Sequence, residues 1–145
     1  MRLFLLIAAI TLFSSTSWGF PSYSSQWAHR SVIYFAPTND EHVKQFLLET
    51  LINKCQLQDR DLIALVVTED GFTQPKWVKY EFNLNELFAV YNIEPGSHTA
   101  VLIGKDGHEK LRWGSATDWE QVKRVIDRMP MRKREMATKA SPCSA

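Results

Sequence analysis

The chain has 145 residues, with 17 Lys and Arg against 16 Asp and Glu, 45% hydrophobic and 12% aromatic residues, and two cysteines. That length fits one packed core without a separate regulatory module. Charged content of 23% beside eight Phe, four Tyr and five Trp excludes a disordered chain, and two cysteines are too few for a disulfide-dense scaffold.

Residues 1–19 have the pattern of a secretory signal peptide. Arg2 supplies the positive end, Leu3 to Phe13 is a predominantly apolar run, and Ser17 and Gly19 place small residues at a cleavage site. Eleven residues rise only about 16 Å as a helix, against roughly 30 Å of bilayer core, so no membrane span is expected. Removing the first 19 residues leaves 126 and takes away Arg2 alone among the charges, so the mature chain is expected to be neutral. A neutral chain offers no electrostatic case for binding nucleic acid. Export to a periplasmic or extracellular compartment is the expectation.

Residues 20–30 form a polar lead containing Trp27. Ser31 to Ala36, SVIYFA, is continuously apolar and too short for a helix, which predicts a strand buried on both faces. Thr38 and Glu41 form a capping-box pattern before a helix carrying Val43, Phe46, Leu47, Leu51, Ile52 and Cys55 on one stripe. A second buried strand is Asp61 to Thr68, closed by Glu69, Asp70 and Gly71. The segment from Phe72 to Phe82 fits neither period, and its structure is left open. Asn83 or Asn85 can cap a short helix ending before Pro95.

Thr99 to Ile103 and His108 to Trp113 flank an Asp106-Gly107 pair and read as a hairpin. A second capping box, Thr117 with Glu120, opens a helix with Trp119, Val122, Ile126 and Met129 on one face, stopped by Pro130. Residues 131–145 read as a basic flexible tail. Its Arg132 to Arg134, with Lys123, Arg124 and Arg128, reads as a solvated helix end; a polyanion site is the sharper alternative.

Two parallel strands joined by a helix, then a hairpin, give a mixed sheet of about four strands with helices on both faces. This three-layer α/β sandwich over residues 31–130 is thioredoxin-like. Residues 87–107, LFAVYNIEPGSHTAVLIGKDG, resemble the thioredoxin-family stretch in which a helix and turn lead to a strand and an Asp-Gly hairpin. RDLIALVV, VLIGKDGHEKLRW and IDRMPMRKREM more specifically resemble an uncharacterised thioredoxin-like domain family of bacterial exported proteins, domain of unknown function 4174, to which domains of vertebrate secreted matrix and sushi-repeat proteins are related. The resemblance spans residues 30 to 136 and implies a fold but no established activity.

Thioredoxin-like redox enzymes place Cys-x-x-Cys at the start of the first helix, where the dipole and free N–H groups lower a thiol pKa. The resemblance puts Asn39 and His42 at those two positions, and His98 where the family keeps a cis-proline. Dithiol and peroxidatic chemistry at that place are therefore not expected. Cys55 reads as a buried structural thiol, with a disulfide to Cys143 as the alternative and a reactive thiol as a further one.

If the fold holds, Asn39, Asp40, His42 and His98 line one shallow site for a ligand or partner, against the plainer reading of solvated loop residues. Their spacing matches no metal motif, and no cofactor is expected. Trp77 is the large aromatic expected at the surface, and Trp113 and Trp119 are expected to pack together. The expected function is a non-catalytic module that binds another protein or envelope or matrix material. The alternative is an atypical thiol or peroxide oxidoreductase, or a metal-dependent enzyme, of the same fold.

Overall fold

A computed structural model describes residues 28–143. The signal-peptide pattern and Trp27 lie outside the described residues. Five strands form one mixed sheet in the order β3-β2-β1-β4-β5. β1 (Arg30–Ala36) runs parallel to β2 (Leu62–Thr68), joined by α1 (Glu41–Ile52) and α2 (Lys54–Asp59). β4 (Thr99–Ile103) pairs antiparallel with β1, and β5 (Glu109–Trp113) with β4. This is the thioredoxin-like arrangement. The fifth strand is β3 (Thr73–Gln74), a two-residue edge ribbon on β2 drawn from the segment that fits neither period.

Alternation along β1 divides the core into two. Val32, Tyr34 and Ala36 face Val43 and Phe46 of α1 and Trp119, Val122 and Ile126 of α5 (Trp119–Asp127). Ile33 and Phe35 face Val78 of α3 (Val78–Glu81) and Leu84, Leu87 and Phe88 of α4 (Leu84–Val90). All seven residues of β1 are buried: Ser31 to Ala36 as the unbroken apolar run predicts, and also Arg30, which the sequence reading places in the polar lead. Fully burying each large side chain contributes roughly 1.5–3 kcal/mol. Trp113 is partly buried against the same cluster as Trp119, but Trp119 stacks on Phe46, with ring centroids 5.5 Å apart. Asn83 is the cap of α4, accepting from Glu86 N at 3.2 Å. In the β4–β5 hairpin, Gly107 has φ +79, a conformation L side chains rarely adopt. Asp106 accepts from His108 N at 3.0 Å and holds the turn. Among the described residues no helix is long and apolar enough to cross a membrane.

Several local expectations shift. Asp40, not Thr38, caps α1, accepting from His42 N at 3.1 Å and Val43 N at 3.2 Å. Likewise Asp118 caps α5 by accepting from Gln121 N, while Thr117 accepts instead from Trp113 Nε1 at 2.9 Å. In both cases a carboxylate one or two residues nearer the helix is the stronger acceptor for its N–H groups. The long apolar stripe is broken at Asn53, where α1 ends, so Leu51 and Ile52 are 69% and 73% exposed. Cys55 falls on α2 and is exposed rather than buried.

The largest departure is the tail. Pro130 ends one helix and begins another, α6 (Pro130–Thr138), standing at its first position where a missing N–H has no cost. Arg132, expected in solvent, is 5% exposed. It donates to Asp59 Oδ2 at 3.0 Å, to Asp59 O at 2.9 Å and to Asp127 Oδ1 at 3.1 Å. Glu135 makes a two-pronged pair with Arg30, both contacts 3.1 Å, and accepts from Lys105 Nζ at 2.6 Å. Arg60 joins through Asp127 at 2.8 Å, and Lys105 reaches Asp61 at 2.8 Å. Four cations and four carboxylates thus balance around the start of β1. A disulfide between Cys55 and Cys143, Cα atoms 5.8 Å apart, ties the chain beyond α6 to α2. Closing 88 residues removes on the order of 4–5 kcal/mol of unfolded-chain entropy.

Removing one partner of a buried pair strands the other charge. Arg132→Met is therefore expected to cost about 3–5 kcal/mol in urea unfolding, whereas Lys133→Ala on the exposed face should stay within about 0.5 kcal/mol. Equal, small effects from both would show that α6 is not held by these pairs.

Candidate functional site

The site forms where β1 ends. Pro37 stops the strand, and the chain turns through Thr38 and Asn39 to the Asp40 cap. His98 immediately precedes β4, whose register sets Thr99 opposite Phe35. That antiparallel register carries residue 98 past the exit of β1, so two groups 58 residues apart meet. His98 Nε2 and Asp40 Oδ2 are 2.6 Å apart. The His42 and His98 rings approach to 4.8 Å between centroids, inclined by 61°.

Below them lies Tyr34, an inward polar group on a buried strand, its hydroxyl donating to Ser115 O at 2.8 Å. Its ring centroid is 6.3 Å from that of His98 and 4.6 Å from that of Phe46. Burial pushes the Tyr34 hydroxyl up to about 12, with the Asp40 and Glu49 carboxylates adding to the shift. Glu49 is held by Trp119 Nε1 at 2.9 Å. For Asp40, burial pushes the carboxyl up, but the His98 hydrogen bond and the N–H groups of Val43 and His42 outweigh it, so the net shift is downward. The carboxylate is thus the charge that α1 stabilises at its positive end.

Of the candidate residues, Asp40, His42 and His98 converge. Asn39 lies exposed beside them, before the cap. Trp77 is elsewhere, 46% exposed at the start of α3 behind the edge ribbon β3. Its ring neighbour is Phe82 at 6.4 Å, and the adjacent Tyr80 is 78% exposed. Cys55 and Cys143 lie toward the opposite end of the sheet, with α2 and the start of β2. Sequence reasoning missed Tyr34 and Glu49, although a tyrosine at an inward position of SVIYFA signals a hydroxyl needing a buried partner. Among the described residues no three His, Cys, Asp or Glu side chains are arranged to hold a metal ion.

Because the folded-state pKa of Asp40 is lowered, its contribution is fully present above the unfolded value near 4 and is lost as pH falls through the folded value. Asp106, Asp127 and Glu135 shift the same way, each because hydrogen bonds to cationic side chains outweigh burial. Urea midpoints should fall steadily below about pH 4. Asp40→Asn, which keeps a capping oxygen, should flatten part of that decline while changing little of the fold. An acid limb identical to that of the parent chain would remove the Asp40–His98 pair from the account.

Two solved structures are similar in fold. One is a mutant of peroxiredoxin 6 of Arenicola marina, at 14% identity and TM-score 0.49, covering 81% of this chain and 67% of that one. The other is the pneumococcal exposed lipoprotein thioredoxin from Streptococcus pneumoniae, at 12% identity and TM-score 0.43, covering 74% and 90%. No curated protein matches the chain. A family model described as Domain of unknown function (DUF4174) matches residues 22–135, and the chain belongs to that family.

Proposed function

We propose that this is an exported, thioredoxin-like binding module that performs no thiol chemistry. The observation that carries this reading is the Asp40 carboxylate at the start of α1. A thiol is activated there because the helix dipole and free N–H groups favour its anion. Here the N–H groups of His42 and Val43 already donate to Asp40, and a carboxylate in place would disfavour a second anion beside it. The flanking positions are Asn39 and His42, and both cysteines of the chain are joined to each other far from this helix start.

A disulfide that persists belongs to an oxidising compartment, which agrees with the signal-peptide pattern of residues 1–19. The partner is another protein or envelope or matrix material. Trp77, Tyr80 and Phe82, exposed together around α3, supply the kind of aromatic surface that binding sites use, and Lys79 lies 5.3 Å from the Tyr80 ring centre.

The mature chain is expected to begin at Phe20 and to give no insulin-disulfide reduction or peroxide consumption above the uncatalysed rate. Turnover that disappears in Cys55→Ser would replace this reading with a thiol enzyme. An amino terminus at Met1 in protein recovered from the producing cell would remove the export.

A further inference from the structure

We propose that His42 and His98 form a two-imidazole binding site for a divalent late transition-metal ion, copper(II) above zinc(II), with Asp40 as the carboxylate that orients His98. The inference concerns a ligand and stands whether or not the chain is the binding module proposed above.

The first support is the state of the nitrogens. His98 commits Nε2 to Asp40 at 2.6 Å, which leaves Nδ1 as its available donor atom. A carboxylate on the far nitrogen is the usual companion of a metal-bound histidine, since it fixes the tautomer and makes the other nitrogen a better ligand. Among the described residues neither ring nitrogen of His42 makes a hydrogen bond, and the residue is exposed on the first turn of α1.

The second support is spacing. Two imidazoles on one tetrahedral ion, with metal–nitrogen distances of about 2.0–2.1 Å, have ring centroids roughly 5 Å apart. The observed separation is 4.8 Å, and the 61° inclination means that the rings are not a parallel stack. One ring is on the first turn of a twelve-residue helix, and the other stands immediately before β4, held by its Asp40 hydrogen bond.

Asp40 is not a third ligand, because Oδ1 accepts from two backbone N–H groups while Oδ2 is taken by His98. The protein thus offers two nitrogens, and water or a group from a partner fills the remaining positions. Imidazole donors suit copper and zinc, and copper(II) binds such sets more tightly than zinc(II).

The experiment uses the untagged mature chain at neutral pH, titrated with copper(II) and then zinc(II) in a calorimeter, with electron paramagnetic resonance on the copper form. One ion per chain, tighter for copper, with a spectrum showing two nitrogen ligands, is expected. His42→Ala and His98→Ala should each weaken binding at least tenfold. Asp40→Asn should weaken it about 10–100-fold with both imidazoles still present. His29→Ala and His108→Ala should leave it unchanged. His42 is exposed, so its variant tests the site even if His98→Ala disturbs the fold. Absence of saturable heat overturns the proposal, as does copper binding that survives His42→Ala with its affinity intact.

Discussion

The structure depends on the complete burial of β1. A strand enclosed on both faces and both edges has no solvent to take its polar groups, so what stands at its two ends depends on the protein for partners. At the start this constraint falls on Arg30, a charged residue 1% exposed, whose Nη1 and Nη2 are met by both carboxylate oxygens of Glu135, while its buried Nε has no partner among the described residues. Glu135 is on α6, 105 residues later, so the last helix is part of the domain rather than an appendage to it. Arg132, Asp59, Asp127, Arg60, Lys105 and Asp61 extend the same balance of charge, and the disulfide ties the chain beyond α6 to α2.

At the other end the constraint becomes an opportunity. The chain leaves β1 through Pro37 and must begin α1 with N–H groups that need acceptors. Asp40 provides them and, through its second oxygen, reaches His98 across the β1–β4 register. Below this pair burial, with the Asp40 and Glu49 carboxylates adding to it, raises the Tyr34 hydroxyl from its ordinary 10 to about 12. The start of α1 therefore carries a negative group already matched by backbone and imidazole. In the proposed reading this occupation, rather than the missing cysteines alone, separates the domain from thiol chemistry.

Much of the framework was legible because its signals are local. SVIYFA and DLIALVV announced buried parallel strands, Asp106-Gly107 announced the hairpin, and Trp119, Val122 and Ile126 marked the buried face of α5. What was not legible depends on distant partners or on single-residue competition. Nothing near Arg132 signals Asp59, 73 residues away, so a buried ion pair looked like a basic tail. The break at Asn53 moved Cys55 off the apolar stripe and turned it toward Cys143. The gathering of Asp40, His42 and His98 followed from the fold but not from spacing, because only the register of β4 on β1 brings residue 98 to the helix start. Trp77 was legible as exposed but not as remote from that cluster.

The claim beneath these relationships is that the two cysteines form a structural pair apart from the start of α1. It is tested most directly by mass mapping of the protein, digested without reduction after alkylation under denaturing conditions. The account predicts one cross-linked pair of peptides containing Cys55 and Cys143 and no alkylated thiol. Recovery of both peptides singly and alkylated, or of a disulfide joining two chains, would contradict it.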